Sequence, residues 1–270
     1  IIYGSTTELS GDLGNAWWTN NASDKLIRAL IDDYDTVVTD QAGELVINES
    51  VCDGIESAEN ADGTKTFTVK IKNGLTYNNG DKITAADYVA YALIAYSPAA
   101  LEAGAKTTSG ASQIVGATEY QNGEADVISG VHLIDENTYS VTITADYLPY
   151  FFDMSYASLK PLSLKLYSSS ELTVKDDGEG AYLDGGSLVA SEIDASRYVY
   201  ADRISAGPYT LKEFDQAALT ATLEINSKYA GNFEGQKPSV KTLVIVKAEQ
   251  ETMLDALKTG EIDFLSALTD

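Results

Sequence analysis

Cysteine occurs once, at Cys52, and histidine once, at His132. A single cysteine excludes an internal disulfide, and neither a CxxC pair nor a Cys/His cluster is present to hold zinc. Cations are scarce: 18 Lys plus Arg face 41 Asp plus Glu, a net charge of −23. Phosphate recognition needs a dense basic patch, so nucleic acid is excluded as a partner. An anionic membrane surface is disfavoured on the same ground. No apolar run approaches the ~18 residues of a membrane span. GxxxxGK[ST], GxSxG and HExxH are all missing, which removes the commonest nucleotide, hydrolase and metalloprotease chemistries. The first residues, Ile1-Ile2, follow neither an initiator Met nor a basic-then-apolar leader, so any secretory signal is expected to have been removed.

What is present is a globular chain. Of 270 residues, 44% are hydrophobic, and 17 Tyr, 6 Phe and 2 Trp argue against disorder. That supplies core for one or two domains. The acidic excess favours solubility and a mild attraction for cationic ligands.

Periodicity predicts an amphipathic helix over residues 23–34, with Ser23 as N-cap and Leu26, Ile27, Leu30, Ile31 and Tyr34 on one face. Residues 36–48 read as extended. Phe67, Val69 and Ile71 alternate with polar residues, as a half-buried strand requires. Thr84 to Asp87 resembles a capping box opening a helix over 85–96. Val131 to Ile134 and Thr138 to Ile143 form a predicted hairpin. Pro149-Tyr150-Phe151-Phe152 is expected to begin a short apolar helix, and residues 168–196, polar and Gly-rich, to be loop. After Gly207-Pro208 come two strands. The chain then shows a βαβ pattern: a strand at 241–246, a helix at 249–258 with Met253, Leu254 and Leu257 inward, a Gly260 stop, and a strand at 261–265. Mixed α/β segments at both ends flank a strand-rich middle, so the expected fold class is mixed α/β (α+β), a mixed-sheet domain with a smaller β-rich domain inserted.

Four segments in order resemble the peptide, oligopeptide and nickel group of ABC-importer solute-binding proteins. They are 70–89 (KIKNGLTYNNGDKITAADYV), 134–143 continuing to Pro149-Tyr150-Phe151-Phe152, 206–214 (AGPYTLKEF) with 224–229, and Val244-Ile245-Val246 with 257–263 (LKTGEID). Ser227 and Ala230 depart from the group's usual Pro and aromatic, and Ala206 from its Thr. Members of the group are longer, so the resemblance implies a periplasmic-binding-protein-like lobe, the first of two. Residues 1–37 with 197–270 would form its core domain and 38–196 the inserted one. It further implies solute capture outside the cytoplasm by a bacterial lipoprotein or periplasmic protein, most simply a monomer. No catalytic residue, metal or cofactor is expected. The partners would be a small peptide or related solute and the importer's membrane subunits. Oligosaccharide, nickel chelate and signalling peptide stay open as ligands. A secreted carbohydrate-active enzyme and a surface interaction protein on the same scaffold are the alternatives.

In open α/β sheets the ligand crevice lies beyond the carboxyl ends of the strands. The loop after the first strand is thus the candidate site: Ser10, Gly11, Asp12, Trp17, Trp18 and Asn20. Adjacent tryptophans on an extended loop cannot both face one core, so one is expected to pack and the other to face the cleft. Gly207 and Tyr209, from the Gly-Pro-Tyr turn, join the candidates as turn residues that could line the cleft. His132 is expected to be a hydrogen-bonded strand residue, Cys52 a small buried one, and Asp176-Asp177-Gly178-Glu179 a solvated loop rather than a calcium site.

Overall fold

A computed structural model of the protein describes residues 1–18 and 20–265. In order, the elements run β1 (Ile2–Ser5), α1 (Ala22–Ile31), β2 (Val37–Thr39), β3 (Leu45–Ile47), β4 (Cys52–Glu59) and β5 (Lys65–Ile71). Four helices follow: α2 (Ala85–Ala95), α3 (Pro98–Glu102), α4 (Thr108–Ala111) and α5 (Ala117–Gln121). Then come β6 (Val131–Leu133), β7 (Thr138–Ile143), α6 (Leu164–Tyr167), β8 (Thr173–Asp176), β9 (Ala181–Asp184) and α7 (Ala190–Ser196). The chain continues through β10 (Tyr209–Asp215), β11 (Thr220–Ile225), β12 (Thr242–Lys247), α8 (Met253–Thr259) and β13 (Phe264–Leu265). Among the described residues no helix is long and apolar enough to cross a membrane.

The two ends of the chain share one sheet, ordered β10-β11-β12-β1-β13. β1 lies parallel between β12 and β13, with Ile2 opposite Val244 and Tyr3 opposite Phe264, while β10, β11 and β12 are antiparallel neighbours. The βαβ pattern at the end thus puts two parallel strands in one sheet, with β1 between them. One face of this sheet packs Leu211, Leu223 and Ile245 against Ile27 and Ile31 of α1. Leu26, Ile27, Leu30 and Ile31 of the predicted apolar stripe seat it, whereas Tyr34, expected on the same face, lies beyond the end of the helix and packs in the main core.

The middle of the chain forms the antiparallel sheet β4-β5-β7-β6. Phe67 and Val69 of β5 lie opposite Val141 and Tyr139 of β7, all buried. Over them packs α2, whose Tyr88, Val89, Ala92 and Leu93 are buried. A helix apolar on most of its faces belongs inside a core rather than at its edge. Its start is held as predicted, with Asp87 Oδ2 accepting from the Thr84 backbone N at 2.8 Å.

The structure corrects several expectations. Asn21, not Ser23, caps α1, its Oδ1 accepting from the backbone N of Ser23 and Asp24. Ser23 is buried instead against Ser5, their hydroxyls 2.6 Å apart. Residues 150–152 are an exposed turn before a single 3-10 turn at Asp153–Ala157, not an apolar helix. Residues 168–196 contain the β8–β9 hairpin and α7. Their sparse apolar residues escaped periodicity, yet Ala181 and Ile193 are buried in the main core. β4 was also unforeseen, because it has few apolar residues and is held by its ladder to β5. In α8 only Met253 is buried; Leu254 and Leu257 are 49% and 39% exposed. The small cluster beneath α8, formed with Ala248 and Ile262, reaches just one face of the helix.

Candidate functional site

The carboxyl end of β1 delivers the chain into the loop 6–21, and α1 begins where that loop ends. The loop is fixed by side chains rather than by a ladder. Ser10 donates twice to Asp24 in the first turn of α1, from its backbone N at 3.1 Å and its Oγ at 2.6 Å. Asp24 is fully buried, and that burial pushes its carboxyl pKa up, opposed by the two bonds from Ser10 and by Arg28. Gly11 has φ +78°, and a Cβ there would stand 2.6 Å from Phe214, so glycine alone permits this close approach. The Tyr200 hydroxyl donates to the Gly11 carbonyl at 3.1 Å.

Asp12 is the electrostatic centre of the loop. Arg197 grips it with two bonds, Nε to Oδ1 at 3.2 Å and Nη2 to Oδ2 at 2.7 Å. The Gly14 backbone N adds a third bond, at 3.2 Å, and Arg28 Nη1 donates to the Asp12 carbonyl at 3.3 Å. Donating these bonds to Asp12 raises the pKa of the Arg197 guanidinium, which also lies 5.2 Å from the Trp18 ring centroid.

The two tryptophans differ in burial. Trp17 is buried, its Nε1 donating to the Tyr91 hydroxyl at 3.2 Å. Trp18 is half-buried, tilted on Trp17 at 5.4 Å, with Nε1 3.4 Å from the Ala103 carbonyl. Lys106 N donates to the Trp17 carbonyl at 2.8 Å, so the loop is stitched to the segment between α3 and α4. Asn20 is exposed.

Six of the candidates thus lie together on one loop, and two lie elsewhere. Gly207 packs at the far end of α1, its N donating to the Ile31 carbonyl at 2.7 Å, and a Cβ there would lie 2.3 Å from Ile31 C. Tyr209 is buried in the sheet core, with its hydroxyl donating to the Val240 carbonyl at 3.0 Å. A ten-residue helix is about 15 Å long, which sets the separation between the two groups.

Sequence reasoning missed the polar layer behind the loop. Asn15 donates to the Tyr167 hydroxyl at 2.7 Å, and beside it opens a cavity of about 410 Å³. Its walls carry both signs of charge: Lys25, Arg28 and Lys160 with Asp32, Asp33 and Asp35. Burial raises the Asp33 carboxyl pKa, against the pull of a bond from the Tyr229 hydroxyl. Only the run Asp32-Asp33-Tyr34-Asp35 was visible in sequence as a concentration of charge. Elsewhere, His132 shares a bond between Nδ1 and Asp176 Oδ2 at 3.0 Å, tying β6 to β8. Asp176 is therefore engaged rather than solvated. Burial pushes the Cys52 thiol up to about 12, which leaves it un-ionised and unreactive at neutral pH. Among the described residues no group of three or more His, Cys, Asp or Glu is placed to hold a metal ion.

Residues 51–270 match the sequence model of the bacterial extracellular solute-binding proteins, family 5 (middle), and the chain belongs to that family. A comparison with curated proteins finds no match. Among solved structures, it is similar to lactococcal OppA complexed with an endogenous peptide in the closed conformation, with TM-score 0.71 and 17% identity, covering 99% of this chain and 45% of that one. Burkholderia pseudomallei OppA gives TM-score 0.68 at 17% identity, over 99% and 46% of the two chains. Listeria monocytogenes OppA bound to peptide gives 0.66 at 16%, over 97% and 45%. The chain spans less than half the length of these structures, and at such identities the likeness is one of fold.

Proposed function

We propose that the protein captures a solute, an oligopeptide by preference, outside the bacterial cytoplasm for an ABC importer, and that residues 1–270 supply one jaw of the cleft. In this reading, residues 1–37 with 197–270 make the core domain and 38–196 the inserted one. Hinge closure against a second lobe would complete the site. The observation that carries the reading is the loop 10–20. In a family of solute-binding proteins, it stands at the carboxyl end of the central parallel strand β1, with its backbone pinned by Asp24 and Arg197 and the half-buried Trp18 at its surface. Ser10, Gly11 and Asp12 preorganise the loop, Trp17 anchors it, and Trp18 and Asn20 are its ligand-facing members. Gly207 and Tyr209 serve by holding the strand turn against α1. Preorganised backbone with wet, roomy side-chain pockets suits a ligand whose main chain is constant and whose side chains vary.

Isothermal titration with a mixed tri- to pentapeptide library tests this. A longer form carrying the second lobe is expected to bind, and residues 1–270 alone to bind at least about tenfold more weakly, a loss of about 1.4 kcal/mol. Trp18→Ala in the longer form is expected to weaken binding, with Trp18 fluorescence shifting on ligand addition in the parent. Equal tight binding by both forms, or indifference to Trp18→Ala, would sink the reading.

A further inference from the structure

An aromatic surface lies on the inserted region, away from the loop 10–20. Tyr147 meets Tyr156 at 5.7 Å between ring centroids, Tyr156 stacks on Tyr150 at 5.2 Å, and Phe152 stands edge-on to Tyr150 at 5.8 Å and to Phe151 at 4.7 Å. Tyr147 and Tyr156 rest on the main core, whereas Phe151 is 89% exposed and Tyr150 44%. In a chain of net charge −23 a contiguous apolar patch of this kind marks a contact surface rather than a lapse of burial.

Next to it are two cavities, of about 550 Å³ and 280 Å³. The larger is lined by Glu44, Leu45, Phe67, Phe151, Phe152 and Met154, and the smaller by Leu148, Pro149 and Glu59. The Lys65–Asp153 ion pair, 2.6 Å long, lines both. Lys65 is the one cation lining either cavity among the described residues, and Asp153 neutralises it. Glu44 and Glu59 make no ion pair among the described residues, so each cavity carries one uncompensated carboxylate. One wall is β4, through Ser57. β4 is an edge strand: it pairs with β5, and no strand among the described residues pairs with its outer side. The exposed Glu56 and Glu59 blunt that edge against pairing with a neutral or acidic strand and favour a basic one.

We propose that this groove docks an extended polypeptide segment that alternates cationic and apolar side chains. Its main chain adds to the outer edge of β4, its apolar side chains enter the cavity against Phe151 and Phe152 on the Ser57 face, and its Lys or Arg side chains, on the opposite face of the strand, meet Glu56. Charge complementarity decides the occupant: aromatic faces and carboxylates both attract cations, and strand addition needs only a free backbone edge.

The probe is a decapeptide alternating Lys and Leu, acetylated and amidated so that no terminal charge contributes. The proposal expects saturable binding to the protein by titration calorimetry, with amide exchange slowed in residues 54–59. Phe151→Ser, at a position too exposed to threaten folding, is expected to weaken binding at least tenfold. Glu56→Gln should weaken it severalfold, and 0.5 M salt should do the same. Trp18→Ala is expected to leave it unchanged, which separates this groove from the cleft of the proposed capture function. Several results would overturn the proposal: no binding; equal binding of a Glu–Leu decapeptide; loss of binding on Trp18→Ala but not on Phe151→Ser. It is also overturned if phosphatidylcholine vesicles, or a second copy of the protein seen by sedimentation, occupy the Phe151 surface instead of the peptide.

Discussion

A carboxylate only 5% exposed persists in a loop because something matches its charge and fills its lone pairs, and for Asp12 that is Arg197 with the Gly14 amide. The planar guanidinium meets the carboxylate with two parallel bonds while its face covers Trp18. Arg197→Met keeps the bulk and removes the charge, leaving Asp12 buried and uncompensated. The expected cost is about 3 kcal/mol, at the low end for a broken buried pair because the guanidinium is partly solvated. Urea unfolding would measure it. Asp12→Asn combined with Arg197→Met should recover at least about 1 kcal/mol of the loss; a strictly additive double variant would show that the pair is not what holds the loop. None of this was legible beforehand. The sequence marked Asp12 as a candidate, but its partner lies 185 residues away, and no local pattern connects the two.

At the scale of elements, periodicity worked wherever one face was buried against one neighbour. α2, β5 and the β6–β7 hairpin appear as predicted, and α1 does so apart from its two ends, because their apolar spacing is their packing. It failed for β4, whose identity comes from its ladder, and for the β8–β9 hairpin, whose core contribution is a few small side chains. It misled for α8, where the apolar residues are present but the neighbouring cluster covers only one side. The junction of β10 with α1 turns on a single glycine. Gly207→Ala would drive a Cβ into the Ile31 backbone, which cannot move like a side-chain tip. The expected destabilisation is about 3 kcal/mol. Gly54→Ala, in β4 with nothing within 4 Å of the added carbon, serves as control and should stay within about 0.5 kcal/mol of the parent. Equal chemical-denaturation midpoints for the two variants would refute the close packing at 207.

For the whole molecule, charge governs the response to pH. Burial raises the carboxyl pKa values of Asp24, Asp33 and Asp87 above their ordinary 3.8. The unfolded chain releases these protons near 3.8, the folded one only higher, so folding takes up protons between the two values. Their contribution to stability is therefore complete below the unfolded value and is lost as pH rises through the folded one. Repulsion within a chain of net charge −23 acts in the same direction. Thermal melts followed by circular dichroism should show Tm rising as pH falls from 7.5 to 5. Added salt should raise Tm more at pH 7.5 than at pH 5. A Tm that falls steadily over that range would contradict the account.

The sequence by itself determined the mixed α/β class, the helices and hairpins with a single buried face, the acidic surface and the family motifs, because each is written in neighbouring residues or in composition. Only the tertiary structure decided that β1 sits between β12 and β13, that Arg197 closes on Asp12, and that Phe151 faces solvent beside an open strand edge. Those outcomes join residues far apart along the chain or depend on what happens not to cover a surface, and neither leaves a local period to read.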